Sequence, residues 1–345
     1  MARTSLLLNL ALLVPVCLSS VACGSFTTSA NRETADDHYN NARSYLKNRD
    51  YQRSMDQVQR GLVADPGHYG LQLMEGWLQT IAGKQSPEQY AEALKSFDEI
   101  RDRRSANDHD YRLWLLSGQS HQGLYQWHRR VAGQLRREAE HAGKSDAEQK
   151  LARAQEHDRE VARHVDAAEK DYEILAKRDG EGRFPALERL FVLETDRAIG
   201  LKGDAREKQL QRAIARAEEY LTANAYRQEH YSVMVEITPD YDQEALGRET
   251  RRELKKRERA FRATYANLLY ELGRWSDACK QLDQVIESDA KIAANYYNRA
   301  RCWVKLGQKN KARRDLQDFT RMTKLPFESP QVTEAYKMLD ELQGG

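Results

Sequence analysis

Proline is scarce, with 7 in 345 residues. So few helix breakers argue against a turn-rich sandwich and leave room for long uninterrupted helices. The net charge is only +2, so the total supplies no electrostatic drive toward nucleic acid. Cysteine occurs four times, and Cys17 and Cys23 both fall in the first 23 residues. The single long apolar run, from Ser5 to Val16, is too short to cross a bilayer as a mature helix. No glycine-rich phosphate loop opens a helix, and HExxH, paired CxxC and GxSxG are all absent. Asp and Glu are too numerous and too evenly spread to nominate a catalytic pair. Among the nine histidines, His157 and His164 stand seven apart and share a helix face. Zinc needs further ligands at tighter spacing, so both read as solvated side chains on a charged helix.

What is present is charge on a helical frame. Charged residues make up 31% and hydrophobic residues 40% of the chain, and mean hydropathy is −0.84. That balance fits an extended, highly solvated array of helices. The ordering principle is an internal repeat near the C-terminus. Ala266, Gly273, Ala278 and Leu282 recur as Ala300, Gly307, Ala312 and Leu316, at a constant offset of 34. Alanine at the middle of one helix and the start of the next lets two helices cross closely. The glycines suit a left-handed cap where the first helix ends. Leu269, Trp303, Leu282 and Phe319 fill the space between helices.

This pattern resembles the tetratricopeptide (TPR) repeat, a helix–turn–helix unit of about 34 residues. The resemblance implies an all-α fold, a TPR-like α-solenoid with long charged helices in the middle. Residues 36–65 match the same register through Ala42, Tyr45, Asp50-Tyr51, Ser54, Val58 and Gly61. A second unit follows with Gly76 and Gly83, and its second helix is delayed by the insertion 84–89. Trp114 and Gly118 open a third. TPR proteins hold partners on the concave face of their first helices. The resemblance places Asn267, Tyr270, Tyr297, Asn298, Arg301 and Lys305 there at the C-terminal end, and Arg43, Lys47, Trp77 and Arg112 at the N-terminal end. The two Asn match the backbone-holding Asn of TPR carboxylate clamps, but the clamp's lysine position is Ala263. Cys279 and Cys302 fall on touching antiparallel helices. They are expected either as a disulfide or as two small buried thiols.

The expected domains run in order. Residues 1–22 read as a signal peptide, and Ser20-Val21-Ala22 before Cys23 resembles a bacterial lipobox, with ordinary signal cleavage as the alternative. Residues 23–35 read as a flexible tether after a lipidated Cys23, 36–124 as N-terminal repeats, and 125–180 as a charged helical hairpin. Residues 181–260 read as a degenerate repeat with a connecting segment, extended between 226 and 240. Residues 261–345 form the C-terminal pair and a closing helix over 330–342. In the basic run 251–259, Glu253 and Glu258 supply helical pairing. The function expected is a non-enzymatic scaffold, exported and lipid-anchored, facing the periplasm from the outer membrane or soluble within it. It would bind a protein or peptide partner, with no cofactor, metal or nucleic acid. The alternatives are a self-associating envelope spacer, or a hydrolase with its site in the middle region.

Overall fold

The computed structural model describes residues 29–103, 110–178, 182–225 and 243–343. The expected signal peptide, Cys23 and the segment 226–240 lie outside them. Among the described residues there are thirteen helices and no strand. They are α1 (Ser29–Lys47), α2 (Tyr51–Ala64), α3 (Tyr69–Ala82), α4 (Pro87–Arg103), α5 (Tyr111–Ala139), α6 (Lys144–Ala176) and α7 (Arg183–Ala198). Then follow α8 (Gly203–Ala225), α9 (Gln243–Glu271), α10 (Trp275–Ser288), α11 (Ala293–Lys305), α12 (Lys309–Met322) and α13 (Pro330–Gln343). Each helix packs on the next, α1 touches α3, α3 touches α5, and α9 touches α11. This is the neighbour pattern of a solenoid: six helical pairs and a closing helix.

The pairs form because a small residue on the first helix meets a large one on the second. Ala42, Ala266 and Ala300 are fully buried, and Ser54 on α2 donates to the Ala42 carbonyl at 2.9 Å. In the second and third pairs the small residue is glycine. A Cβ on Gly76 would lie 2.3 Å from the Phe97 ring, and one on Gly118 would lie 2.4 Å from Tyr172. Gly273 and Gly307 end their helices with φ of +74° and +69°, the left-handed cap that the repeat predicts. Asp50 and Asp110 cap α2 and α5 by accepting from the Arg53 and Arg112 amides.

The core is not one mass but a string of clusters, each shared by neighbouring helices. Phe97, Phe191 and Phe319 anchor three of them, each burial contributing about 1.5–3 kcal/mol. Polar ties link the second helices of successive pairs. Arg101 on α4 donates to Asp171 on α6 at 3.3 Å, and Arg216 on α8 pairs with Glu173 on α6. Arg299 donates to Asp283 on α10 and Asp315 on α12, both at 2.7 Å.

Three boundaries differ from the sequence reading. The helix carrying Trp114 and the first arm of the charged hairpin are one helix, α5, so no domain edge falls at 124. Its apolar face never lapses: Leu113, Leu116, Leu124, Tyr125, Ala132 and Leu135 are all buried. The tether is shorter than 23–35, because α1 begins at Ser29 and Ala35 is fully buried in the first cluster. The middle region contributes complete helical pairs, giving six where three to five repeat units were legible. α5 has 29 residues against 14 in α3, so the hairpin projects roughly 20 Å further. Its distal part is held by a small cluster of Ala132, Leu135 and Ala154.

The crossing is testable. Gly118→Val drives a branched side chain into the buried Tyr172 ring and lowers the thermal midpoint, read by circular dichroism, through about 1–3 kcal/mol of overpacking. Gly133→Ala, where a Cβ meets nothing nearer than 3.7 Å, is stabilising by about 0.5–1 kcal/mol.

Candidate functional site

The sequence-predicted contacts all sit on first helices, which touch one another at α1–α3, α3–α5 and α9–α11, and they divide into two sets. At the C-terminal end, Tyr270, Tyr297 and Arg301 come together. The Arg301 guanidinium lies 4.4 Å from the Tyr270 ring centre and 5.8 Å from that of Tyr297. The Tyr297 hydroxyl donates to Glu334 on α13 at 2.7 Å. Burial first, then that hydrogen bond, pushes the phenol pKa upward. This trio is an aromatic–cation stack within the protein, tied to the closing helix. Asn267 and Lys305 are exposed and Asn298 is half-buried beside it, so these three present free polar heads along the same face.

The N-terminal set is less open. Arg43 stacks over Tyr39 at 5.5 Å, and Lys47 is exposed. Trp77 and Arg112 do meet, around a cleft with Tyr39, Gly70 and Met74, but the cleft holds only about 20 Å³, roughly one water. Arg112 is fixed there by Asp110, which accepts from Nε at 2.7 Å. These residues consolidate the junction of α1, α3 and α5 more than they offer a binding surface.

A wider concavity is one the sequence reading did not nominate. A groove of about 860 Å³ runs along α5, walled by Lys84, Arg129, Arg130 and Arg137 and floored by Tyr90, Gly123 and Gly133. Tyr90 reaches it from α4 by wedging between two glycines. A Cβ on Gly83 or Gly123 would strike its ring at 2.5 or 2.2 Å. Burial raises the Tyr90 pKa, with Arg130 opposing. Asp196 is the acid on the rim, and it is engaged by the Tyr125 hydroxyl. Lys84, Arg129, Arg130 and Arg137 form no ion pair among the described residues, so the groove carries uncompensated positive charge. A weak signal existed: Gly123, Gln126, Arg130, Gly133 and Arg137 fall at helical spacing on one face. It was masked by the uniform charge of this helix.

One further reading is corrected, and one open alternative is decided. His164 is not a solvated side chain: it is 5% exposed, and it faces α5 instead of water. Cys279 and Cys302 are not joined; they are free thiols, 2% and 1% exposed. Each is packed as a small apolar group, and the hydrogen bond that Cys279 donates to Cys302, then burial, raises the Cys279 pKa. The basic run on α9 pairs outward as well as along its own helix. Arg262 meets Glu258 at 2.7 Å, while Arg257 reaches Glu188 on α7 and Arg259 reaches Asp289 after α10.

The thiol assignment predicts that iodoacetamide labels neither Cys279 nor Cys302 in the folded protein. Both are labelled in full once guanidinium is added without reductant, as read by mass spectrometry. A disulfide would leave both unlabelled in either state.

No protein-family model matches the chain, and no curated protein matches it. Similar solved structures include a tetratricopeptide repeat protein from Parabacteroides merdae ATCC 43184, at 13% identity and a TM-score of 0.37, covering 89% of this chain and 99% of that one. The APC/C hetero-tetramer Cut9–Hcn1 is similar at 13% identity and a TM-score of 0.43, over 90% of this chain and 43% of that one. The TPR2AB-domain:pHSP90 complex of yeast Sti1 is similar at 11% identity and a TM-score of 0.30, over 90% and 99%. At such identities and scores the assignment rests on the chain's own geometry. The paired helices, the small residues at their crossings and the 34-residue period make it an α-solenoid of the tetratricopeptide type.

Proposed function

We propose that this protein is a non-enzymatic scaffold, exported and held to the outer membrane through lipid on Cys23, that binds an acidic segment of a partner protein. The observation that carries the reading is the groove on α5. Four cations line it without an intramolecular partner, and its volume suits an extended peptide or loop rather than a buried small molecule. At Gly133, where a Cβ would meet nothing nearer than 3.7 Å, the floor allows backbone to approach closely. Arg and Tyr are the side chains that concentrate binding energy at interfaces. The Asn267, Asn298 and Lys305 heads extend the polar surface on the first helices of the C-terminal pairs. Assembly of envelope complexes is the role that an exported scaffold of this kind would serve.

The reading predicts salt-sensitive binding. A fluorescent poly-glutamate peptide binds the full chain, and its affinity falls as ionic strength rises. Reversing charge in Arg129→Glu, Arg130→Glu and Arg137→Glu together weakens it at least about tenfold, mainly through the association rate. A photocrosslinker at Gln134 captures a discrete acidic protein in cells, and the triple reversal removes it. Binding that ignores both salt and the triple reversal excludes the groove. Separately, Cys23→Ser shifts the protein from the membrane to the soluble fraction. If it stays in the membrane fraction, the lipid anchor is wrong.

A further inference from the structure

His121 and His128 on α5 and His157 and His164 on α6 are mirror images about the turn at residues 142–143. Each pair is one heptad apart, so both rungs fall on the seam of the antiparallel hairpin. The Nδ1 atoms of His121 and His164 are 2.9 Å apart, and those of His128 and His157 are 2.7 Å apart. The rungs also meet each other. Side chains on a helix lean toward its N-terminus, which brings His128 and His164 toward each other from opposite rungs. Their rings stack at 5.8 Å. Glu160 lies one turn before His164 on the same face. One ligand atom from each of His128, Glu160 and His164 falls within 4.8 Å of the others.

The chemistry of this cluster is that of a metal site. Burial, then neighbouring His164, pulls the His121 pKa down to about 3. Burial, then Arg163, pulls that of His164 down to about 4, and burial lowers that of His128 too. With both Nδ1 atoms committed to the partner histidines, the nitrogens left for a metal are the Nε2 atoms. His164 Nε2 stands 3.8 Å from the Glu160 carboxylate. Ligand atoms around tetrahedral zinc stand roughly 3.4 Å apart at its usual bond lengths, so small side-chain rotations suffice. The site already attracts positive charge. The Arg163 guanidinium sits 2.6 Å from Glu160 and 3.3 Å from His164 Nε2. Its side chain is 67% exposed, so it can swing into solvent when a cation replaces it. Trp127 packs edge-on against His128 and His157 and shields one side.

We infer that His128, Glu160 and His164 bind a divalent transition metal ion of the zinc class on the hairpin seam, with His121 and His157 orienting the two ligating imidazoles. Two imidazoles and one carboxylate leave at least one coordination position for water or for a side chain of a partner. The groove of the proposed partner lies on the opposite side of α5, so the two sites are separate, and the metal clamps the two arms of the hairpin. An ion binding only the folded hairpin stabilises it by mass action.

The test takes the full chain, stripped with a chelator and then titrated with zinc in a calorimeter and with cobalt(II) followed by visible absorption. One zinc binds per chain, the thermal midpoint rises, and cobalt develops a ligand-field spectrum. Glu160→Gln keeps the side-chain shape at a third-exposed position and weakens zinc at least about tenfold. His128→Gln with Glu160→Gln abolishes binding, and neither substitution sits at a fully buried position. His121→Ala weakens zinc by about 10–100-fold and alters the cobalt spectrum, as loss of an orienting outer partner does. A stripped wild-type chain that takes up no zinc overturns the inference. So does zinc binding unchanged in the double variant, which would place it on other histidines.

Discussion

Everything in this chain depends on how closely a first helix can lie across its second. The crossing tolerates no more than a methyl group on one side. Ala42, Ala266 and Ala300 occupy that place in three pairs, and Gly76 and Gly118 occupy it in two. Where glycine replaces alanine, an aromatic ring from the second helix takes the freed volume: Phe97 over Gly76, Tyr172 over Gly118. The exchange conserves packed volume while the sequence identity of the repeat drifts. Because each core cluster is shared only with neighbouring helices, one pair can lengthen without disturbing pairs several units away.

The third pair uses that freedom. Once α5 and α6 outgrow the repeat, one side of α5 stays on the seam with α6 and the other turns toward the ends of α3 and α7. The seam side collects histidines, and burial pulls the pKa values of His121 and His164 down. The opposite side collects arginines that find no acid to pair with. A single amphipathic helix thus carries two unlike chemistries about half a turn apart. The inner face at the C-terminal end is built differently. There Arg301 is absorbed by Tyr270 and Tyr297, and its contribution is to the closing of the array.

Much of the architecture was legible because it is local. The 34-residue offset, the glycine caps at Gly273 and Gly307 and the closing helix all follow from spacing along one or two helices. The site was legible only in part. Tyr270, Tyr297 and Arg301 do come together, yet their stacking on one another could not be read from position alone. His157 and His164 were read as solvated because half of their partners come from another helix, with no trace inside the local window. The mirror placement of His121 and His128 about residues 142–143 is a sequence signal. It acquires meaning only once the turn and the antiparallel register are known.

By itself, the sequence determined the helical class, the repeat length and which residues must be small where helices cross. These are set by backbone sterics and by periodic burial, and both act over a few turns. Tertiary structure alone decided that α5 runs unbroken through the expected boundary at 124, that Cys279 and Cys302 stay unbonded, and that Arg129, Arg130 and Arg137 stand without acids while Arg299 and Arg301 do not stand alone. Those outcomes depend on which distant helix supplies the neighbouring charge or ring. Burial and Coulomb energies are properties of the assembled surface, and no single segment encodes them.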